Sequence, residues 1–184
     1  DAGIPVITTN VDDSEGAAGN ARLAFVGQDL YQAGYELAKE LSKQFPEGDT
    51  HVLLGLSAPG QNWAELRIGG VRQFMEEYKV ANPNKKVTWD TIDSGLDTSV
   101  TGQRICAYIQ GHPETNAYFD AGFWGSGAGE CLRDLGLKPG DLLMAMFDLV
   151  DITMDEMDKG YVNLTIDQQP YLQGYLPILQ MYLM

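Results

Sequence analysis

Short apolar, β-rich runs alternate along the chain with longer stretches in which apolar residues return every three or four positions. The runs predict strands at 4–8, 23–26, 51–56, 86–92, 116–120, 142–147 and 162–166. The longer stretches predict helices at 29–45, 62–80, 98–110, 125–135, 151–159 and 170–183. In the first helix Leu30, Ala33, Leu37, Ala38, Leu41 and Phe45 share one face, and Pro46-Glu47-Gly48 stops it. In the second, Leu66, Gly70, Phe74 and Tyr78 form a stripe. Gly136 and Pro139-Gly140 end the helix after Trp124. Strands and helices alternating at this spacing imply right-handed βαβ crossovers. The expected fold is α/β, a doubly wound parallel sheet with helices on both faces.

Ligands of such sheets bind outside the carboxyl ends of the strands. Five strand ends there offer Asn, Asp or Gln: Asn10 with Asp12, Asn62 after Leu56, Asp120, Asp148 and Gln168. Trp63 and Trp124 lie beside two of them, and Arg67 follows on the helix that Asn62 opens. Carboxylates and amides pair with adjacent hydroxyls, aromatic faces cover the C–H faces of a sugar ring, and arginine adds a forked donor. The pattern suits a neutral, hydroxyl-rich ligand. The competing reading for each Asp or Asn alone is a helix cap or turn residue.

Composition narrows the function classes. Hydrophobic residues make up 44% and charged residues 21%, as in ordinary globular domains. A net charge of −14 repels phosphate backbones and anionic lipid, so no nucleic-acid or membrane-surface partner is expected. No catalytic residues and no cofactor are expected. The Gly122–Gly129 stretch lacks dinucleotide spacing and reads as close packing of helix 125–135 on the sheet. There is no Walker lysine and no Gly-x-Ser-x-Gly elbow. The strand-end carboxylates lack a calcium-loop spacing, so no metal is expected there. The run from Asp148 to Asp158 reads as a solvated helix face. His51 and His112 read as structural or solvated, without partners at useful spacing. Cys106 and Cys131 read first as two half-buried thiols, with a disulfide as the alternative. The first residues read as a turn entering a strand, and residues 172–184 as an apolar helix without a cap. Both ends therefore read as internal to a longer protein.

Several segments together resemble the ribose- and galactose-binding group of type I periplasmic binding proteins of ABC transporters. They are Ala2-Gly-Ile-Pro-Val-Ile-Thr-Thr-Asn-Val-Asp12, Phe25-Val-Gly-Gln-Asp-Leu-Tyr-Gln-Ala-Gly34 and Gly60 with Arg67-x-x-Gly70. Phe147-Asp148, Met157-Asp-Lys-Gly160 and Thr165-Ile-Asp-Gln-Gln-Pro170 with Gly174 follow in order. The resemblance implies two lobes of like fold that close about a hinge over a ligand. It implies a remnant of the N-terminal lobe at 1–18, the C-terminal ligand-binding lobe at 19–168 and a truncated N-terminal-lobe helix at 169–184. Hinge crossings are implied near 19–24 and just beyond Gln168. Asn10, Asp148 and Gln168 match the family's ligand contacts. Arg67 matches its sugar-holding arginine in one register and Glu65 in another. Relatives carry Asn-Asp where this chain has Ala121-Gly122, and some stack an aromatic where it has Leu96, leaving Trp124 or Trp63 for that role.

The implied function is a solute-binding receptor for a monosaccharide or related polyol that feeds an ABC permease. The implied location is periplasmic or extracellular, with a signal peptide in the precursor and a lipid anchor at the N-terminus as one option. The alternative on the same fold is the effector domain of a LacI-like transcription regulator. Read as a fragment, the chain is expected to bind ligand weakly and to self-associate through its apolar ends.

Overall fold

The computed structural model describes residues 3–13, 15, 18 and 21–184, and the chain divides into two compact units. The larger unit, Leu30–Ile166, is a parallel sheet of β3 (Thr50–Leu56), β4 (Val87–Asp93), β5 (Thr115–Asp120), β6 (Leu143–Phe147) and β7 (Leu164–Ile166), in the order β4-β3-β5-β6-β7. Val52, Leu53 and Leu54 are all fully buried because both faces of β3 are covered, which is why the strand reads as a continuous apolar run. Val52 and Leu54 pack with α1 (Leu30–Ser42) and α2 (Asn62–Ala81). Leu53 packs on the opposite face with α3 (Thr98–Gly111) and α4 (Gly129–Asp134). The doubly wound expectation is met. Since β3 leads outward to β4 while β5 begins the run in the other direction, the strand order reverses between β3 and β5.

Helices α1 and α2 meet at two glycines. A Cβ on Gly34 would lie 1.9 Å from the Arg67 carbonyl oxygen, and one on Gly70 would lie 2.0 Å from that of Tyr31. The Gly-rich turn behaves differently from expectation. Segment 125–135 splits into a short 3-10 helix, Trp124–Ala128, and α4. Its glycines meet three different neighbours: a Cβ on Gly127 would lie 1.9 Å from the Thr98 carbonyl oxygen of α3, Gly125 sits against Tyr118 of the sheet, and Gly129 against Glu156.

Cys106 on α3 and Cys131 on α4 are joined in a disulfide, with Cα atoms 6.4 Å apart. This corrects the preference for two free thiols. Closing a loop between residues separated by 25 positions stabilises the fold by about 3 kcal/mol through the unfolded chain. Urea unfolding with and without a phosphine reductant is expected to show that loss. An unchanged midpoint would mean that the bridge contributes nothing.

The acidic run is also not uniformly solvated. Helix α5 (Asp151–Asp158) buries Glu156, only 6% exposed, against Gly129 of α4. Burial opposes its charge, but hydrogen bonds from Arg133 and Lys159, both 2.8 Å, prevail and hold its pKa below the ordinary value. A carboxylate depressed in the folded state contributes stability that is present above its unfolded pKa and is lost as pH falls through the folded one. Glu156→Gln is therefore expected to cost about 2 kcal/mol at neutral pH and progressively less under acid conditions. A pH-independent cost would refute the ionic assignment.

The smaller unit comprises Asp1–Asp29 and Asp167–Met184. Strand β1 (Ile7–Asn10) pairs in parallel with β2 (Ala24–Gly27), and α6 (Pro170–Leu183) packs on both. The first strand was expected at 4–8. Pro5 has no N–H to donate, and the ladder begins at Ile7↔Ala24. The compact units do not divide where the implied lobes do, at 18/19 and 168/169. Because β2 pairs with β1, the smaller unit runs on to Asp29, and the second boundary falls before Asp167 rather than after Gln168. Residues 19 and 20 of the expected crossing lie outside the described residues. Ile178, Met181, Tyr182 and Leu183 of α6 are exposed.

Candidate functional site

Six of the residues singled out above gather at the carboxyl end of the larger unit's sheet or at the start of α2. Asn62 opens α2, and Trp63 follows it, half-buried. One turn on, Arg67 is 4% exposed and donates to the Ala121 carbonyl at 2.9 Å. Its guanidinium lies 4.0 Å from the centre of the Phe147 ring and 6.0 Å from that of Trp63. Burial pushes the Arg67 pKa down to about 10, against the pull of Asp148 and Asp120, so it stays charged at neutral pH. Glu65, the alternative in the other register, is exposed and accepts the Gly60 N–H at 2.9 Å, closing the turn before α2.

Trp63 and Trp124 stand with ring centres 5.9 Å apart, and Phe123 stacks on Trp124 at 4.7 Å. The Ala121-Gly122 departure has a physical use here. A Cβ on Gly122 would lie 2.1 Å from the Trp124 ring, so the missing side chain makes room for the indole. Leu96 is 55% exposed on the turn at Gly95.

Asp148 follows β6 with φ of 72°, a left-handed conformation that Asp and Asn tolerate better than other side chains. Its backbone is fixed on both sides: the N–H donates to Ile166 O and the carbonyl accepts from Thr165 Oγ1, both at 2.9 Å. Asp120 differs. It is fully buried, and its carboxylate accepts from Ser57 Oγ, Tyr118 OH, Gly122 N and Gly125 N at 2.5–2.9 Å. Burial raises its pKa, with these hydrogen bonds pulling the other way. Asp120, expected at the ligand, is turned inward in this structure and braces the loop that carries Trp124.

In the smaller unit Asn10 has φ of 76° and ends β1. Its Nδ2 donates to Gln173 Oε1 at 2.9 Å and to Gln168 Oε1 at 3.4 Å, while Gln173 Nε2 donates to the Gln168 carbonyl at 2.5 Å. Gln168 and Gln173 line an open hollow of about 310 Å³ with Gly27, Gln28 and Leu172. Gln173, 6% exposed, escaped the sequence reading. Its signal was an amide inside a largely apolar helix, which carries one other, Gln180. Asp12 turns instead to Arg22, 2.8 Å away, and is not gathered with Asn10.

A family model described as a periplasmic binding protein domain matches residues 1–184. The chain belongs to the periplasmic binding protein family. This binding-protein chain is 33% identical to the xylose/arabinose-binding protein XylF of Sulfolobus acidocaldarius over 99% of its own length and 46% of that protein's. It thus spans about half of that curated relative. Among solved structures, a periplasmic sugar-binding protein of an ABC sugar transporter from Legionella pneumophila superimposes with a TM-score of 0.81 at 26% identity. That match covers 98% of this chain and 64% of the other. A solute-binding protein from Actinobacillus succinogenes, solved with bound D-allose, gives 0.80 at 26% identity over 98% and 63%.

Proposed function

We propose that this chain is part of a solute-binding receptor for a monosaccharide or related polyol, which delivers its ligand to an ABC import permease by hinge closure. The observation that carries the reading is the grouping of a buried, charged Arg67 with Trp63, Trp124 and Asp148 at strand ends. Asp148 and Arg67 are the hydroxyl-binding pair, and the two indoles form the wall for the ring's C–H face. Asn62 adds a polar contact, and in the smaller unit Asn10 and Gln168 are the sugar-binding amides. The names of the xylose/arabinose-binding and D-allose-bound relatives support a pentose or hexose. The reading assigns no reaction to the protein. A periplasmic or extracellular location agrees with the Cys106–Cys131 disulfide, since such bridges persist in oxidising compartments.

Calorimetry on the full-length protein against pentoses, hexoses, polyols and amino acids tests this. Saturable binding of one sugar, weakened in Asp148→Ala, is the expected result. Binding of an amino acid with no response to any sugar would overturn it.

A further inference from the structure

The histidines that the sequence left isolated come together at the amino end of β3, among residues that play no part in the site above. One ligand atom each from His51, Asp90 and His112 lies within 4.8 Å of the other two. His51 comes from the second position of β3, Asp90 from the neighbouring edge strand β4, and His112 caps the end of α3. The rings of His51 and His112 lie 6.1 Å apart, tilted by 27°, with Tyr108 stacked on His112 at 4.2 Å.

We propose that His51, His112 and Asp90 bind a divalent transition metal of the zinc class, with solvent as the fourth ligand. Two imidazoles and one carboxylate select such an ion over calcium or magnesium, which prefer all-oxygen shells. The surroundings prepare both rings. Nδ1 of His51 lies 2.8 Å from Thr88 Oγ1, and Nδ1 of His112 lies 3.2 Å from Glu114 Oε1. Each of these contacts occupies Nδ1, as outer partners of metal-bound histidines do, and Nε2 is the coordinating atom; that of His51 lies 2.9 Å from Tyr108 OH, a contact the ion would replace. Tyr108 OH donates to Asp90 Oδ2 at 2.5 Å and orients the carboxylate.

A tetrahedral zinc shell needs ligand atoms about 3.4 Å apart, so the group must tighten by about an ångström. The side chain of His51 is 11% exposed and fixed, whereas those of Asp90 and His112 are 56% and 43% exposed and have room to move in. The bound ion would join β3, β4 and the end of α3, independently of the sugar-binding face.

Titration of the full chain with Zn²⁺ alone, followed by calorimetry, is the test. The expected result is one ion per chain, with binding weakened about tenfold or more in both His112→Gln and Asp90→Asn, and no comparable response to Ca²⁺. His112 and Asp90 are exposed enough for these variants to fold, which circular dichroism checks. Absence of Zn²⁺ uptake, or uptake that both variants leave within about twofold of the parent, overturns the proposal.

Discussion

Gly34→Val is expected to destabilise the protein by about 4 kcal/mol, and Gly34→Ala by about 2–3 kcal/mol. The cause is backbone on backbone. The added Cβ would stand 1.9 Å from the Arg67 carbonyl oxygen and 2.8 Å from its carbon. No side-chain rotation relieves that contact, so α1 and α2 must part by more than an ångström. The reciprocal contact of Gly70 with Tyr31 on the same pair of helices opposes the parting, since it seats α2 equally close to α1. Urea unfolding measures the loss. The same displacement moves the backbone of Arg67, so Gly34→Ala is also expected to weaken sugar binding in the molecules that remain folded. A Gly34→Ala midpoint equivalent to less than about 0.5 kcal/mol would show that the helices yield freely.

Removing the charge of Arg67 is expected to have the largest effect on binding. Arg67→Met keeps a long apolar stem against Phe147 but loses the forked donor. A fall in sugar affinity on the order of 100-fold, about 3 kcal/mol, is expected. Both variants leave the buried Ala121 carbonyl without its donor, and Arg67→Ala should match the affinity loss and lower stability further, because the cover of Phe147 goes as well. The two variants isolate the packing contribution: they lose the same donor, and only Ala also loses the apolar cover of Phe147. Equal affinity in Arg67→Met and the parent would exclude Arg67 from the site.

The architecture was legible because parallel strands covered on both faces leave unbroken apolar runs, such as Val52-Leu53-Leu54, and helices leave a stripe, such as Leu30, Leu37 and Leu41. What the pattern did not separate was two aspartates at strand ends. Asp120 lies on the same side of β5 as the buried Tyr118, two residues earlier, and the 3-10 helix supplies Gly125 N to it. Asp148 lies beyond the last residue of β6 in a left-handed turn. Only tertiary closure decides whether donors fill the carboxylate. Gly34 and Gly70 were noted as marks of resemblance, while their physical role depends on where two helices cross. His51 and His112 met through strand register and helix length, which spacing along the chain does not encode. Asp12 was diverted by Arg22, a partner ten positions away whose reach no periodicity reports.

With Asn10 and Asp148 as the proposed sugar contacts, their left-handed backbone, φ of 76° and 72°, would also limit how specificity can drift. At both positions asparagine, aspartate and glycine are the residues that fit without appreciable strain. A descendant adapting to a new sugar can exchange a carboxylate for an amide there, or delete the contact. It cannot readily install a longer or branched side chain. Diversification would then be channelled toward positions on ordinary backbone, such as the half-buried Trp63 on the first turn of α2.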